Sequence, residues 1–315
     1  MASTPTDQLF KLIKTLTKAE KRSFKLYVNR IGGSETAKFI QLFDVLDKQR
    51  EYDEEAIFRK IPTLKRSQLS NLKRHLLGQL LTSLRLIHIS KYIDIEIREQ
   101  IDYARILYGK GLYLQALKIL DRVKKTAREA HQDHLHLEIV EFEKLIESRH
   151  ITRSIENRAE ELTDEAQRRG EIIYRTGLLS GLALKMYGLY IKIGHIRDEA
   201  SARQVDAFFK ANVPPIPLDE MTFFEKVYWN QAHMWYNYIL QNFPMYFRYA
   251  TKWVELFDQF PDMRTKDPDL YMRGLHHLLG SLFYLGDYER FCQAFEQLSA
   301  FIDAQESTFN INSRI

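Results

Sequence analysis

One cysteine in 315 residues, Cys292, excludes an intramolecular disulfide and every zinc motif that needs several thiolates. Glycine (13) and proline (8) are sparse, so few positions break a regular backbone. Val- and Thr-rich alternating runs are lacking, which removes the signature of sheets. No stretch approaches the ~20 apolar residues needed to cross a bilayer. The N-terminus, Met1-Ala-Ser-Thr-Pro-Thr-Asp, has no charged segment followed by an apolar run, so no secretory signal is read and a cytoplasmic location is expected. Gly-rich phosphate loops, Gly-x-Ser-x-Gly and His-Glu-x-x-His are all missing. The expectation is therefore a protein that is not an enzyme, with no catalytic residues, no cofactor and no metal.

What remains is 45% hydrophobic and 28% charged, the composition of a globular chain with ample core. Leu, Ile, Glu, Lys, Arg, Phe and Tyr dominate, and apolar residues recur at spacings of three and four. An all-α fold follows. Residues 1–92 carry 18 Lys+Arg against 9 Asp+Glu, a net of +9, and the remainder carries 28 against 33, a net of −5. A basic head, 1–92, thus precedes a mildly acidic body, 93–315. Such a head suits an anionic partner, or equally attraction between head and body.

Within the head, Leu9, Phe10, Ile13 and Leu16 form one stripe, and Thr17 with Glu20 forms a capping box that starts a second helix. Phe39, Leu42, Phe43 and Leu46 mark a third helix. Asp53 begins a fourth, which ends near Pro62. The fifth, with Ser67 as its expected cap, carries Leu69, Leu72, Leu76, Leu77, Leu80, Leu81 and Leu84.

In the body a local phrase recurs. Gly111-Leu112-Tyr113 with Ala116 closes one amphipathic helix and opens the next. Gly286-Asp287-Tyr288 repeats the offsets, with Phe291 in the Ala116 slot. Gly194-His195-Ile196 with Ala200 is a looser copy. Glycine leaves the first helix by a left-handed turn, an aromatic residue or Ile plugs the hairpin, and a small residue lets the helices close. Helix hairpins are expected near 93–129, 132–170, 172–212, 219–261 and 267–305, turning near Gly111, His150, Gly194, Asn242 and Gly286. Val213-Pro214-Pro215-Ile216-Pro217 should be an extended connector. The tail after Ala304 contains no polar capping helix, so the chain is expected to be a fragment of a longer array or to pair through its C-terminal end.

The turn phrases Gly111-x-Tyr113-x-x-Ala116 and Gly286-Asp287-Tyr288 resemble those of tetratricopeptide repeats. The head phrase Leu-Thr-Lys-Ala-Glu-Lys-Arg-Ser-Phe-Lys-Leu-Tyr-Val, Leu16 to Val28, resembles the opening of a group of uncharacterised bacterial proteins of the tetratricopeptide-like helical superfamily. The resemblance implies a right-handed α-α superhelix whose concave face holds a protein or peptide segment.

Candidate sites are few. Arg59, Lys60, Lys65, Arg66, Lys73 and Arg74 could form the turn and start of a nucleic-acid recognition helix, with Lys65, Arg66, Lys73 and Arg74 as contacts, or they are one solvated helix face. His131, His134 and Glu138 would share a face if helical, as a zinc site needs, or they are a polar helix edge. Fourteen aromatic residues crowd 223–260, and Tyr236, Tyr246 and Tyr249 are the ones expected to reach a partner. His276 and His277 point about 100° apart, one inward and one outward. Cys292 is expected to be a buried, inert thiol. The leading reading is an adaptor or scaffold. Behind it stand a regulator with a nucleic-acid-binding head and a protein that assembles through its C-terminal repeat.

Overall fold

A proline-poor chain with helical periodicity folds accordingly. The computed structural model describes residues 5–31, 34–89, 92–150 and 157–305, and among them every regular element is a helix. Residues 1–4, 32–33, 90–91 and 151–156 and the tail, 306–315, lie outside the described residues. The chain packs as two units, residues 1–96 and 97–315, so the division falls in the first turn of α6 (Ile93–Gly109).

The first unit holds α1 (Pro5–Thr15), α2 (Lys18–Ile31), α3 (Ser34–Lys48), α4 (Glu54–Lys60) and α5 (Arg66–His88). Its core gathers Ile13, Phe24, Leu42, Phe43, Leu46, Ile57, Leu76 and Leu80. The Thr17 capping box forms: Thr17 N–H donates to Glu20 Oε2 at 2.7 Å, and Glu20 N–H to Thr17 Oγ1 at 3.2 Å. Asp53 caps α4 through Ala56 N–H. Two expectations are corrected. The helix α5 begins two residues earlier than a Ser67 cap allows, because the Gln68 side chain accepts the Lys65 N–H at 3.3 Å and satisfies that donor. Leu81 is exposed, since it falls off the stripe that Leu76 and Leu80 turn inward.

The second unit holds α7 (Tyr113–Glu129), α8 (Asp133–His150), α9 (Arg158–Ile193), α10 (Glu199–Asn212), α11 (Phe223–Ile239), α12 (Phe243–Gln259), α13 (Met263–Lys266), α14 (Pro268–Leu285) and α15 (Tyr288–Gln305). Consecutive long helices pack on one another: α7 on α8, α8 on α9, α9 on α11, α11 on α12, α12 on α14 and α14 on α15. The expected break between 170 and 172 does not exist. Gly170 lies inside the 36-residue α9, because an isolated glycine weakens a helix by only about 1 kcal/mol, and Leu162, Ala166 and Ile172 hold its buried face on both sides.

Gly111, Gly194 and Gly286 all adopt positive φ, at 77°, 66° and 68°, as the recurring phrase requires. We expect Gly286→Ala to lower stability by about 1 kcal/mol, read as a shifted urea midpoint, since Ala is strained in the left-handed region. The plugs differ between copies. Tyr113 stacks on His150 at 3.7 Å and Ala116 is fully buried, as expected. Tyr288, however, is exposed, and Phe291 packs beside Leu279, Leu282 and Ala294 instead. A ring in the slot that Ala116 leaves small occupies the hairpin itself. Ala200 is also exposed. The Gly194 turn is held by Ile196, whose N–H donates to Ile239 O at 3.1 Å and whose carbonyl accepts from Gln241 at 2.8 Å.

Candidate binding groove

Three prolines in five residues follow α10 and form one wall of a concavity in the second unit. The connector is not uniformly extended: Ile216 N–H donates to Pro214 O at 2.9 Å, closing a tight turn about Pro215. Pro214 is buried while Pro215 and Pro217 face solvent. Between this turn, the end of α10 and the facing sides of α11 and α12 lies a groove of about 770 Å³.

Helix spacing places its rings. Trp229, His233 and Tyr236 sit at i, i+4 and i+7 on α11, and so share one face. Thr222 and Glu225 start that helix, with Thr222 N–H donating to Glu225 Oε2 at 2.7 Å. Buried Glu225 is in turn held by Arg175 at 2.7 Å. On α12, Met245 and Tyr249 are again four apart, and the Asn242 side chain caps the helix. The rings form a ladder. Tyr236 stacks on Phe209 at 4.2 Å, Phe209 meets His233 edge-on at 5.0 Å, and His233 lies 4.2 Å from Trp229 and 4.6 Å from Tyr249.

The ladder is electrically neutral at pH 7. Burial lowers the His233 pKa, and its Nδ1 lies 3.0 Å from Trp229 O, which sets that nitrogen as the N–H donor. Burial and then Asp206 push Tyr236 up to about 12, so its hydroxyl stays protonated and donates to Asp206 Oδ1 at 2.7 Å. Lys210 is paired with the same Asp206 at 2.8 Å. Buried Asn237 uses its amide N–H on His233 O. Such a lining offers stacking surface and a few fixed polar groups, the usual chemistry of a recognition cleft.

Of the three tyrosines expected to face a partner, Tyr236 and Tyr249 border this groove and are half-buried. Tyr246 is corrected: it is 4% exposed, and its hydroxyl lies 3.3 Å from His277 Nδ1 inside the core. It sits three residues before Tyr249, and that step turns it to the α14 side. Most of the other rings between 223 and 260 also fill core, with Phe223, Trp253 and Phe257 fully buried. Sequence reading missed Phe209, His233 and the connector as groove walls. The Trp229-to-His233 spacing was a usable signal, whereas the approach of α10 to α11 was not encoded locally.

The other candidates fare differently. Lys73 is corrected: it is buried, bonded to the Tyr52 hydroxyl and 3.4 Å from Glu54, so it cannot reach a phosphate. Arg66 grips Glu55 with two bonds of 2.6 and 2.8 Å, and Lys65 and Arg74 are exposed. The His131 face does not form. That residue has φ 52° between α7 and α8, while Glu138 pairs with Arg105 at 3.0 Å. Among the described residues no group of three or more His, Cys, Asp or Glu could hold a metal ion. His277 points inward and His276 outward, as expected, and burial holds His277 down at about 3. Cys292 is half-buried rather than buried, because it lies on the side of α15 turned away from α14. No helix among the described residues is long and apolar enough to cross a membrane.

Compared with known proteins, the chain matches no family model, no curated sequence and no solved structure.

Proposed function

We propose that this protein is a non-catalytic scaffold that holds a protein or peptide segment, and that the aromatic groove between α10, α11 and α12 is where the segment binds. The observation that carries this reading is the ring ladder. Trp229, His233, Tyr236 and Tyr249 lie half-buried against a proline turn, with an open groove beside them. Aromatic rings on rigid helices present large contact area at little ordering cost, which is why Trp and Tyr dominate binding hot spots. In this reading the successive helix pairs of the second unit form a tetratricopeptide-like α-α superhelix. Their repeated packing, α9 on α11 on α12 on α14, supports it.

The test is selection of peptides from a random display library on the intact protein, followed by affinity measurement of the recovered peptides. Trp229→Ala with Tyr249→Ala should weaken binding at least ~30-fold, the equivalent of about 2 kcal/mol. Tyr246→Phe, a change confined to the core, should leave it unaltered. Peptides that bind the folded double variant as well as the parent would place recognition elsewhere.

A further inference from the structure

The helix α15 is built as though both its sides were covered. Phe291, Ala294, Leu298 and Phe301 face inward, where Leu279, Leu282 and Tyr271 receive them. A second stripe, Tyr288, Cys292, Phe295, Ser299 and Ile302, spans an arc of about 80° centred about 100° round the helix from that face. Tyr288 is 79% exposed and Phe295 56%. At 100° per residue, Glu289, Glu296 and Asp303 then line one flank of this stripe at seven-residue intervals. All three are exposed, and none is ion-paired among the described residues.

The helix α9 carries the counterpart. It packs on α8 and α11, and its third side presents Gly177, Gly181, Leu184, Gly188 and Ile191 within a similar arc of about 80°. Leu184 is 69% exposed and Ile191 64%. The three glycines have open space where a Cβ would stand. Lys185 and Lys192, seven apart, line the flank on the same rotational side as the acids of α15. Among the described residues Lys185 bonds the neutral Asn212, at 3.2 Å, and no carboxylate.

We propose that α15 of one copy of this chain packs antiparallel on α9 of a second copy. Three features fit. Antiparallel helices bring like-sided flanks together, so Glu289 comes opposite Lys192 and Glu296 opposite Lys185 in a single register. The large residues of α15 meet the glycine-lined face of α9, which lets backbones approach closely. Opposite charges at matched spacing select this partner helix over a second α15, where acid would meet acid. The contact joins two different faces, so association extends beyond a dimer unless the rotation closes. A single helix pair is smaller than a standard interface of ~1,600 Å², so the complex forms at high protein concentration.

Sedimentation of the full chain over a concentration series tests this. The parent should gain mass as concentration rises, and less so in high salt. Glu289→Lys with Glu296→Lys should raise the dissociation constant at least ~10-fold, as should Lys185→Glu with Lys192→Glu. An equimolar mixture of these two variants should assemble again, because each then offers the complement of the other. Gly181→Leu with Gly188→Leu should abolish assembly while circular dichroism shows an intact fold. A parent that stays monomeric up to ~1 mM overturns the proposal. So does a Lys185→Glu/Lys192→Glu variant that still associates alone, since that points to α15 pairing with itself, and so does failure of the mixture.

Discussion

Lys124→Met will destabilise the protein by about 3–4 kcal/mol at pH 8 and by only about 1 kcal/mol at pH 5. Lys124 on α7 reaches Glu143 on α8 at 2.7 Å and Glu165 on α9 at 3.3 Å. The Glu143 side chain is fully buried, and Arg158 is its other cation, at 3.3 Å. Burial is the largest influence on this carboxyl and raises it from 4.5 to about 7, against the pull of Lys124. A folded pKa above the unfolded one means that Glu143 contributes stability fully present below 4.5 and lost as the pH rises through about 7. At pH 8 the carboxylate is charged, and removing Lys124 leaves it short of a partner in the interior. At pH 5 it is already protonated and the lysine matters less to it. Glu165 behaves oppositely. The bond to His136, at 2.7 Å, is the main reason its pKa falls to about 2. Its contribution is present above 4.5 and is lost only as the pH falls through about 2. The ionised Glu165 therefore keeps a small loss in the variant at pH 5, modest because that carboxylate is partly solvated. Urea unfolding of both proteins at the two pH values decides it, and equal losses at pH 5 and pH 8 would show that Glu143 is not the group responsible.

Trp253→Ala should cost about 3–5 kcal/mol, the range for deleting a large buried ring. Trp253 on α12 is fully buried among Val254, Phe257 and the α14 residues, with the His277 ring 5.7 Å away. The backbone of α14 comes close at Gly274: a Cβ there would lie 3.2 Å from Trp253 Cδ1 and 3.4 Å from Val254 Cγ2. A methyl at this helical position would press on the indole. Gly274→Ala should therefore destabilise the parent by about 1–3 kcal/mol through overpacking. In a Trp253→Ala background the same change should be close to neutral or stabilising. A double-mutant cycle by chemical denaturation reads this coupling, and additive effects would mean that the two residues do not share the space.

The sequence alone determined the class of element, the turn glycines and the capped starts. Each of these follows from residues within a few positions of one another. Periodicity of three and four defines a helix, the positive φ at 111, 194 and 286 favours Gly, and Thr17 finds Glu20 three residues on. The charge division between head and body was likewise plain from counting. Tertiary structure decided which side of each helix is covered and by what. Tyr246 and Tyr249 read alike locally, yet α14 buries one, while α10 and the proline turn leave the other in a groove. Lys73 belongs to a basic run by sequence, but Tyr52 and Glu54 draw it inside. Tyr288 and Tyr113 share a phrase, but Phe291 displaces one from the hairpin that the other fills. Burial is a property of neighbours brought together from far along the chain, and short-range spacing carries no record of them.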